Sequence, residues 1–265
     1  MQHLRYDILP STNTFLMEKL RDESDNFADG SIVSAGFQGA GRGQVGNSWE
    51  SAAGANALFS LALRNLQLPA ADHFCITQIV ALALCESLCQ QLPCFCSDDV
   101  APKLRIKWPN DIYFGNKKLA GILIESRIFG GQIQDCICGI GLNVHQEIFL
   151  SDAPNPISLK QICQQHPESL KILSQLEMST FIENIAENIL GQKEKFQQAL
   201  LSREDIQNNY MKRLYRLMEW HHFQDEEASF EARIVDVLPD GRLQLEKKSS
   251  GELKNYAFKE LRFVI

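Results

Sequence analysis

The chain has 265 residues, 45% of them hydrophobic and 22% charged, enough for one large core or one domain plus a small module. Its 33 acidic side chains outnumber 26 basic ones, giving a net charge of -7 and a pI near 5.4. That balance excludes an extended nucleic-acid surface, which needs a basic face.

The opening "MQHLRYDILPSTN" lacks the basic-then-apolar order of an export signal. The most apolar window, Phe74 to Cys85, reads as too short to span a bilayer. A cytoplasmic protein that touches neither membrane nor nucleic acid is expected.

In chain order, "LRYDIL" alternates as a strand closed by Pro10, and "STNTFLMEKLRD" opens a helix with Ser11 or Thr12 as N-cap. "SIVSAGF" is the next strand and runs straight into "QGAGRGQVGNSWES", Gln38 to Ser51, with four glycines and one arginine. Glycine loses the most backbone freedom on ordering, so such a stretch is either a mobile surface turn or a loop that folds around a ligand. "ALFSLALR" is a further strand. From Asp72 to Leu92 the apolar positions recur at helical spacing, which predicts a long helix packed on a sheet.

"KLRIKWPNDIYFGNKKLAGILIESRIFGGQIQDCICGIGLNVH" reads as consecutive antiparallel strands, with tight turns at Gly115-Asn116 and Gly130-Gly131. Helices are expected at about 157–165, 175–201 and 204–218. The charged stretch His221–Glu227 marks a junction. Beyond it lie four short strands with turns at Asp240-Gly241 and Ser250-Gly251, a small all-β module of the SH3 type. The division is therefore 1–222 and 223–265, with the module packed on the larger part, since about forty residues bury too little apolar surface alone.

Eight cysteines include the pairs Cys94/Cys96 and Cys136/Cys138. The second pair lies in an alternating strand and neither forms the knuckle of a structural zinc site. Buried free thiols and no metal site are expected.

Polar groups at element ends are the candidates for chemistry. Ser11, Thr12 and Asn13 are either a helix cap or a reader of a ligand's polar head at the positive helix terminus. Lys107, in "KWPND", sits at a strand end fixed by Pro109, as a solvated lysine or a working one. Glycines inside the strand "GIGLNV" call for another group or a ligand to approach closely.

In this order and spacing, Ser11-Thr12-Asn13, "QGAGRGQ", Trp49 with Ser51, "KWPNDI", "KLAGILIE" and "GIGLNV" resemble the biotin protein ligases along essentially the whole chain. The resemblance implies an α+β fold: a mixed β-sheet flanked by helices, akin to the class II aminoacyl-tRNA synthetase core, followed by an SH3-like β-barrel. It implies ATP-dependent activation of biotin to biotinyl-5′-AMP and transfer to a lysine of a biotin carboxyl carrier protein, that of acetyl-CoA carboxylase or a related enzyme.

It further implies that Ser11, Thr12, Asn13, Gln38, Gly41, Arg42, Gly43, Gln44 and Lys107 bind biotin, with Arg42 and Lys107 as the catalytic pair. Trp49, Asn110 and Asn143 are carried over to the ATP and adenylate side. Magnesium is expected with ATP, held mostly by phosphate and water rather than by a protein cage. On this reading two anions meet in a site of low dielectric, and a guanidinium and an ammonium offset their repulsion. The loop closes over the ligand to keep water off a mixed anhydride, and Arg42 has no anion to meet until substrate arrives.

Two departures from the family pattern matter. Gln44 and Asn47, with Val45 between them, stand where many relatives carry loop arginines. The first strand begins almost at Met1, so no winged helix and no operator binding are expected; a monomer or homodimer is. A lipoate–protein ligase shares the adenylation logic, and a catalytically idle biotin or nucleotide sensor is the alternative from another class. Retention of both Arg42 and Lys107 argues against the sensor.

Overall fold

The computed structural model describes residues 1–21, 27–44, 46–150 and 155–265. Val45 lies outside them.

The larger part is an eight-stranded sheet. Its strands are β1 (His3–Leu9), β2 (Ile32–Gln38), β3 (Asn56–Leu63), the two-residue β4 (Leu68–Pro69), β5 (Leu104–Lys107), β6 (Asp111–Phe114), β7 (Lys117–Phe129) and β8 (Gln132–Asn143). They run in the order β1-β2-β3-β8-β7-β6-β5, with β4 beside β8. The β1–β2 pair is parallel and the other pairs are antiparallel, so the sheet is mixed. β3 is buried at every residue, as a central strand covered on both faces must be.

Helix α1 (Thr12–Arg21) covers part of one face, where Leu16 packs with Val33, Ala62 and Ile137. On the other face lies α2 (His73–Gln91), whose Val80, Leu84 and Leu88 join Phe59, Leu61 and Ile140 in the main core. The helical run Ala70–Gln91 is in fact long and apolar enough to cross a membrane by length and composition. Here 72% of its apolar window is buried inside the protein, which makes it the core helix of the fold.

Four more helices follow: α3 (Leu159–Cys163), α4 (Pro167–Ser174), α5 (Met178–Gln197) and α6 (Arg203–Lys212). Two expectations are corrected. α4 was missed because Pro167 reads as a breaker, although it occupies the first helical turn, where no N–H is needed. The helix expected over 204–218 stops at Lys212. After it the chain runs through turns, with positive φ at Arg216 and Met218, and bridges the two sheets, Leu214 to Ile106 and Leu217 to Ile234.

The second sheet is antiparallel, ordered β12-β11-β10-β9-β13. Its strands are β9 (Trp220–Gln224), β10 (Ser229–Val237), β11 (Leu243–Lys247), β12 (Leu253–Tyr256) and β13 (Arg262–Phe263). This sheet fits the SH3-like module: four strands lie beyond Glu227, as expected, and β9 at the junction adds a fifth. The division at 222/223 falls inside β9, because the charge-rich stretch His221–Glu227 is half strand.

Phe223, Ile234, Val237, Leu245 and Tyr256 belong to the same buried cluster as the large sheet's core. Trp108 Nε1 also donates to the Gly241 carbonyl across the junction at 2.8 Å. Cutting the chain after His222 strips partners from several buried side chains, each worth about 1.5–3 kcal/mol. Scanning calorimetry is expected to show the shortened chain melting at least ~10 °C below the full one, or failing to fold. An unchanged melt would mean the small sheet is a separate body.

Cys136 and Cys138 are buried on β8, and Cys94 is buried too, but Cys96 is exposed. Among the described residues no group of three or more His, Cys, Asp or Glu is placed to hold a metal ion.

Candidate functional site

Strand register builds the site. Lys107 stands opposite Asp111, Asp111 opposite Gly121, Gly121 opposite Gly141, and Gly141 opposite Leu58. Directly opposed residues share a face, so these side chains form one row across the sheet, stepping about 4.8 Å per strand. The next row on the same face is Leu123, Gly139 and Ser60. Where the rows carry glycine, the face sinks into a trough. Two side chains from elsewhere fill it.

The first is Asn13, from the start of α1. A Cβ on Gly139 would stand 2.8 Å from Asn13 Cγ and 2.9 Å from its Nδ2. The second is Trp49, brought back by the glycine loop. A Cβ on Gly141 would stand 2.7 Å from Trp49 Nε1, and one on Gly121 3.0 Å from the indole ring. The seats are two residues apart on β8, about 7 Å. The glycines of "GIGLNV" are therefore explained by side chains lying flat against the sheet.

Around Asn13 the polar groups are buried and interlocked. Ser11, Thr12 and Asn13 are each under 5% exposed. Ser11 Oγ accepts from the Thr14 N–H at 3.4 Å, a cap contact, but the other two side chains reach further. Gln38 Oε1 accepts from the Thr12 N–H at 2.7 Å and from its hydroxyl at 3.1 Å. Ser60 Oγ bonds both Thr12 Oγ1 and Asn13 Oδ1, and Asn13 Nδ2 donates to Glu125 Oε2 at 2.9 Å. Triplet and Gln38 form one hydrogen-bonded wall.

Arg42 differs from expectation. It already meets an anion, since its guanidinium bonds Glu125 and also donates to Thr14 Oγ1 at 3.3 Å. The loop carrying it is internally bonded, from Gly43 N–H to the Asn47 carbonyl at 2.9 Å and from Trp49 N–H to the Gly41 carbonyl at 3.0 Å. Glu125, which links loop and α1, went unassigned. Its signal was strand parity, because Glu125 lies four residues beyond Gly121 on β7 and so on the same face.

On the other flank, Lys107 is half-buried, and burial lowers its pKa below the ordinary lysine value. Asp111 opposes that shift, while Lys118 and Arg216 add to it. Asp111 itself is bonded by Lys118 at 2.7 Å. Asn110 donates to the Ile122 carbonyl, and Asn143 to the Ile157 carbonyl at 3.1 Å, so each amide spends one of its two N–H donors on backbone. The buried Nε1 of Trp49 has no partner among the described residues.

Most of these groups line one cavity of about 1190 Å³, with Thr14, Ser60 and Glu125 outside its lining. Of the sequence candidates, Ser11, Thr12, Asn13, Gln38, Arg42, Gly43, Gln44, Trp49, Lys107, Asn110 and Asn143 reach its wall. Gly41 does not; it sits behind, packed on the Trp49 carbonyl. The far wall comes from the small sheet's last turn and strand, Phe258, Lys259, Leu261, Arg262 and Phe263. None of those was singled out in the sequence. A typical small-molecule pocket is about 300–1,000 Å³, so this one exceeds the usual range.

The sequence profile of the biotin/lipoate A/B protein ligase family matches residues 6–143. The chain belongs to this family. That match contains the triplet, the loop, Lys107, both strand glycines and Asn143. The bifunctional ligase/repressor BirA of Escherichia coli K12 is 34% identical over 137 residues, 52% of this chain and 39% of that protein. A biotin–[acetyl-CoA-carboxylase] ligase of Mycobacterium tuberculosis H37Rv is 31% identical over 168 residues, 63% of this chain and 58% of that one. The chain thus matches less than two thirds of each relative's length. Biotin protein ligase from Aquifex aeolicus, solved with biotin and ATP, superposes over 99% of both chains at TM-score 0.71 and 20% identity, a likeness of fold. Against that ligase fold the small sheet is as much part of the architecture as the large one.

Proposed function

We propose that this member of the family is a biotin–[biotin carboxyl-carrier protein] ligase. The observation that carries the reading is the pairing of seats in one cavity: a buried polar wall at Gly139 and an aromatic platform at Gly141. The polar wall of Ser11, Thr12, Asn13 and Gln38 offers donors and acceptors suited to a ureido ring. Trp49 offers a flat π surface and an unpartnered N–H suited to a purine. Lys107 and Arg42 bring positive charge to the same space.

In the first step a carboxylate oxygen of biotin attacks the α-phosphorus of ATP, and pyrophosphate leaves. Both partners are anions, so the barrier falls when fixed cations meet the charge that develops. Lys107, held in a half-buried setting, serves this role with a compact ammonium. Arg42 serves it after exchanging Glu125 for a substrate oxygen, a swap between two anions that keeps its charge compensated throughout. In the second step the amine of a carrier lysine attacks the acyl carbon, forming an amide and releasing AMP and a proton.

Magnesium enters this reading as part of the nucleotide substrate. The cavity's Asp111 is engaged with Lys118, so phosphate and water would supply most of the ion's ligands.

The test is to mix the purified chain with ATP, magnesium and an apo carrier domain, adding biotin or lipoate in separate arms. Intact mass spectrometry of the carrier should gain one biotinyl group in the biotin arm alone. Lipoyl transfer instead would move the chain to the other branch of its family. Biotin binding with no adduct and no adenylate would make it a sensor.

A further inference from the structure

Lys107 carries its ammonium between two aromatic rings, 5.4 Å from the centre of Tyr113 and 4.4 Å from that of Phe263. Among the described residues it makes no ion pair. Lys118 on the same wall shows the contrast, bonded to Asp111 at 2.7 Å with its charge already compensated. Tyr113 belongs to the same hairpin as Lys107, but Phe263 comes from β13, at the far end of the chain.

That ring is anchored from both sheets. Phe263 pairs with Phe223 of β9, their rings 5.1 Å apart edge to face, and it stacks on Tyr215 at 6.5 Å. Tyr215 belongs to the turn segment that bridges the sheets, its N–H donating to the Ile106 carbonyl at 2.9 Å, one residue before Lys107.

The face of an aromatic ring attracts a cation through its quadrupole and offers no lone pair for the ammonium N–H groups. A carboxylate in this place would take those donors and cancel the charge. An aliphatic side chain would desolvate the ammonium with nothing in return. Only a ring holds the cation in position and leaves its donors for incoming oxygens.

We propose that Phe263 is a positioning residue for the adenylation step, the means by which the small sheet holds the Lys107 ammonium unpaired in the cavity. This rests on the reading of Lys107 given above. The small sheet is then coupled to the chemistry through one ring. The charged groups that act on Lys107 besides the rings are Asp111 on β6, which favours the cation, and Lys118 on β7 and Arg216, which oppose it.

The test uses the full chain with Phe263→Leu, which keeps apolar bulk, and Phe263→Tyr, which keeps the π face. Competitive acetylation across pH, read at the Lys107 peptide by mass spectrometry, gives that amine's own titration without substrates. The leucine variant is expected to titrate about half a pH unit lower than the parent, and the tyrosine variant with the parent. In biotin-dependent pyrophosphate exchange, leucine should lower kcat about tenfold with the biotin KM within about twofold, and tyrosine should restore most of it. Thermal melts confirm that each variant is folded; should leucine unfold the chain, Phe263→Met replaces it.

Identical titration of Lys107 in all three proteins would overturn the proposal, as would a shift with no loss of exchange. A parent protein that makes no adenylate would instead sink the functional reading. The acetylation result would then still report whether the ring holds the amine.

Discussion

Lys107→Ala is expected to cut adenylate formation by about 10²–10³-fold, the usual effect of removing one fixed group that meets developing charge. The strand itself should survive. Lys107 closes β5 beside its turn, and its neighbours Ile106 and Trp108 supply the packing, being 0% and 3% exposed. The cleanest readout is biotin-dependent exchange of pyrophosphate into ATP, which isolates the first step from the carrier. The pH profile of the parent enzyme checks the same idea. Burial holds the free ammonium below the ordinary lysine pKa, so in the free enzyme the active cation is lost on the alkaline side earlier than an exposed lysine would be. Bound anions favour the cation and push that limb upward. kcat/KM should therefore fall at lower pH than kcat, since the first reports free enzyme and the second the complex. Near-parental exchange in the alanine variant would remove Lys107 from the reaction.

Local chemistry in the sequence reached the parts of this site that lie close together in the chain. Ser11 to Asn13 at a helix start and the glycines of "GIGLNV" were visible as short patterns with a physical reason. What that reason was came only with the sheet. Gly139 and Asn13 are 126 positions apart, and nothing local says that one makes room for the other. Ser60 is a small residue in an apolar strand until β3 pairs with β8 in the register that sets it opposite Gly139. Glu125 was legible by parity on β7 but had no partner until α1 and the loop converged on it. Phe263 lies in a two-residue strand, too short for any periodicity. In the fold, the long periodic elements were readable, whereas α4 was hidden behind Pro167 and α6 was over-extended. The segment after Lys212 carries enough apolar residues for either state, and pairing with Ile106 and Ile234 decides it.

Gly139→Ala is expected to lower biotin affinity by more than tenfold and to cost about 2 kcal/mol of stability, or roughly 5 °C in the melt. The added methyl would fall within 2.8 Å of Asn13 Cγ and within 2.9 Å of its Nδ2, closer than carbon contacts allow. Asn13 cannot swing aside cheaply. Ser60 holds its oxygen, Glu125 and the Leu123 carbonyl take its amide, and its backbone is fixed in the first turn of α1. Either β8 shifts outward, opening its pairing with β3, or Asn13 leaves its seat and strands the buried hydroxyl of Ser60. Both routes break the polar wall at the place where it would meet the ligand. The double variant Asn13→Ala/Gly139→Ala separates the two effects. Without the carboxamide there is no overlap, so at least half of the lost melting temperature should return. Biotin affinity should stay low, because the Asn13 donor and acceptor are gone. Isothermal titration with biotin and a melt on each variant give both numbers. A single variant that binds biotin as the parent does would mean that Asn13 is a structural strut and that the polar wall reads some other molecule.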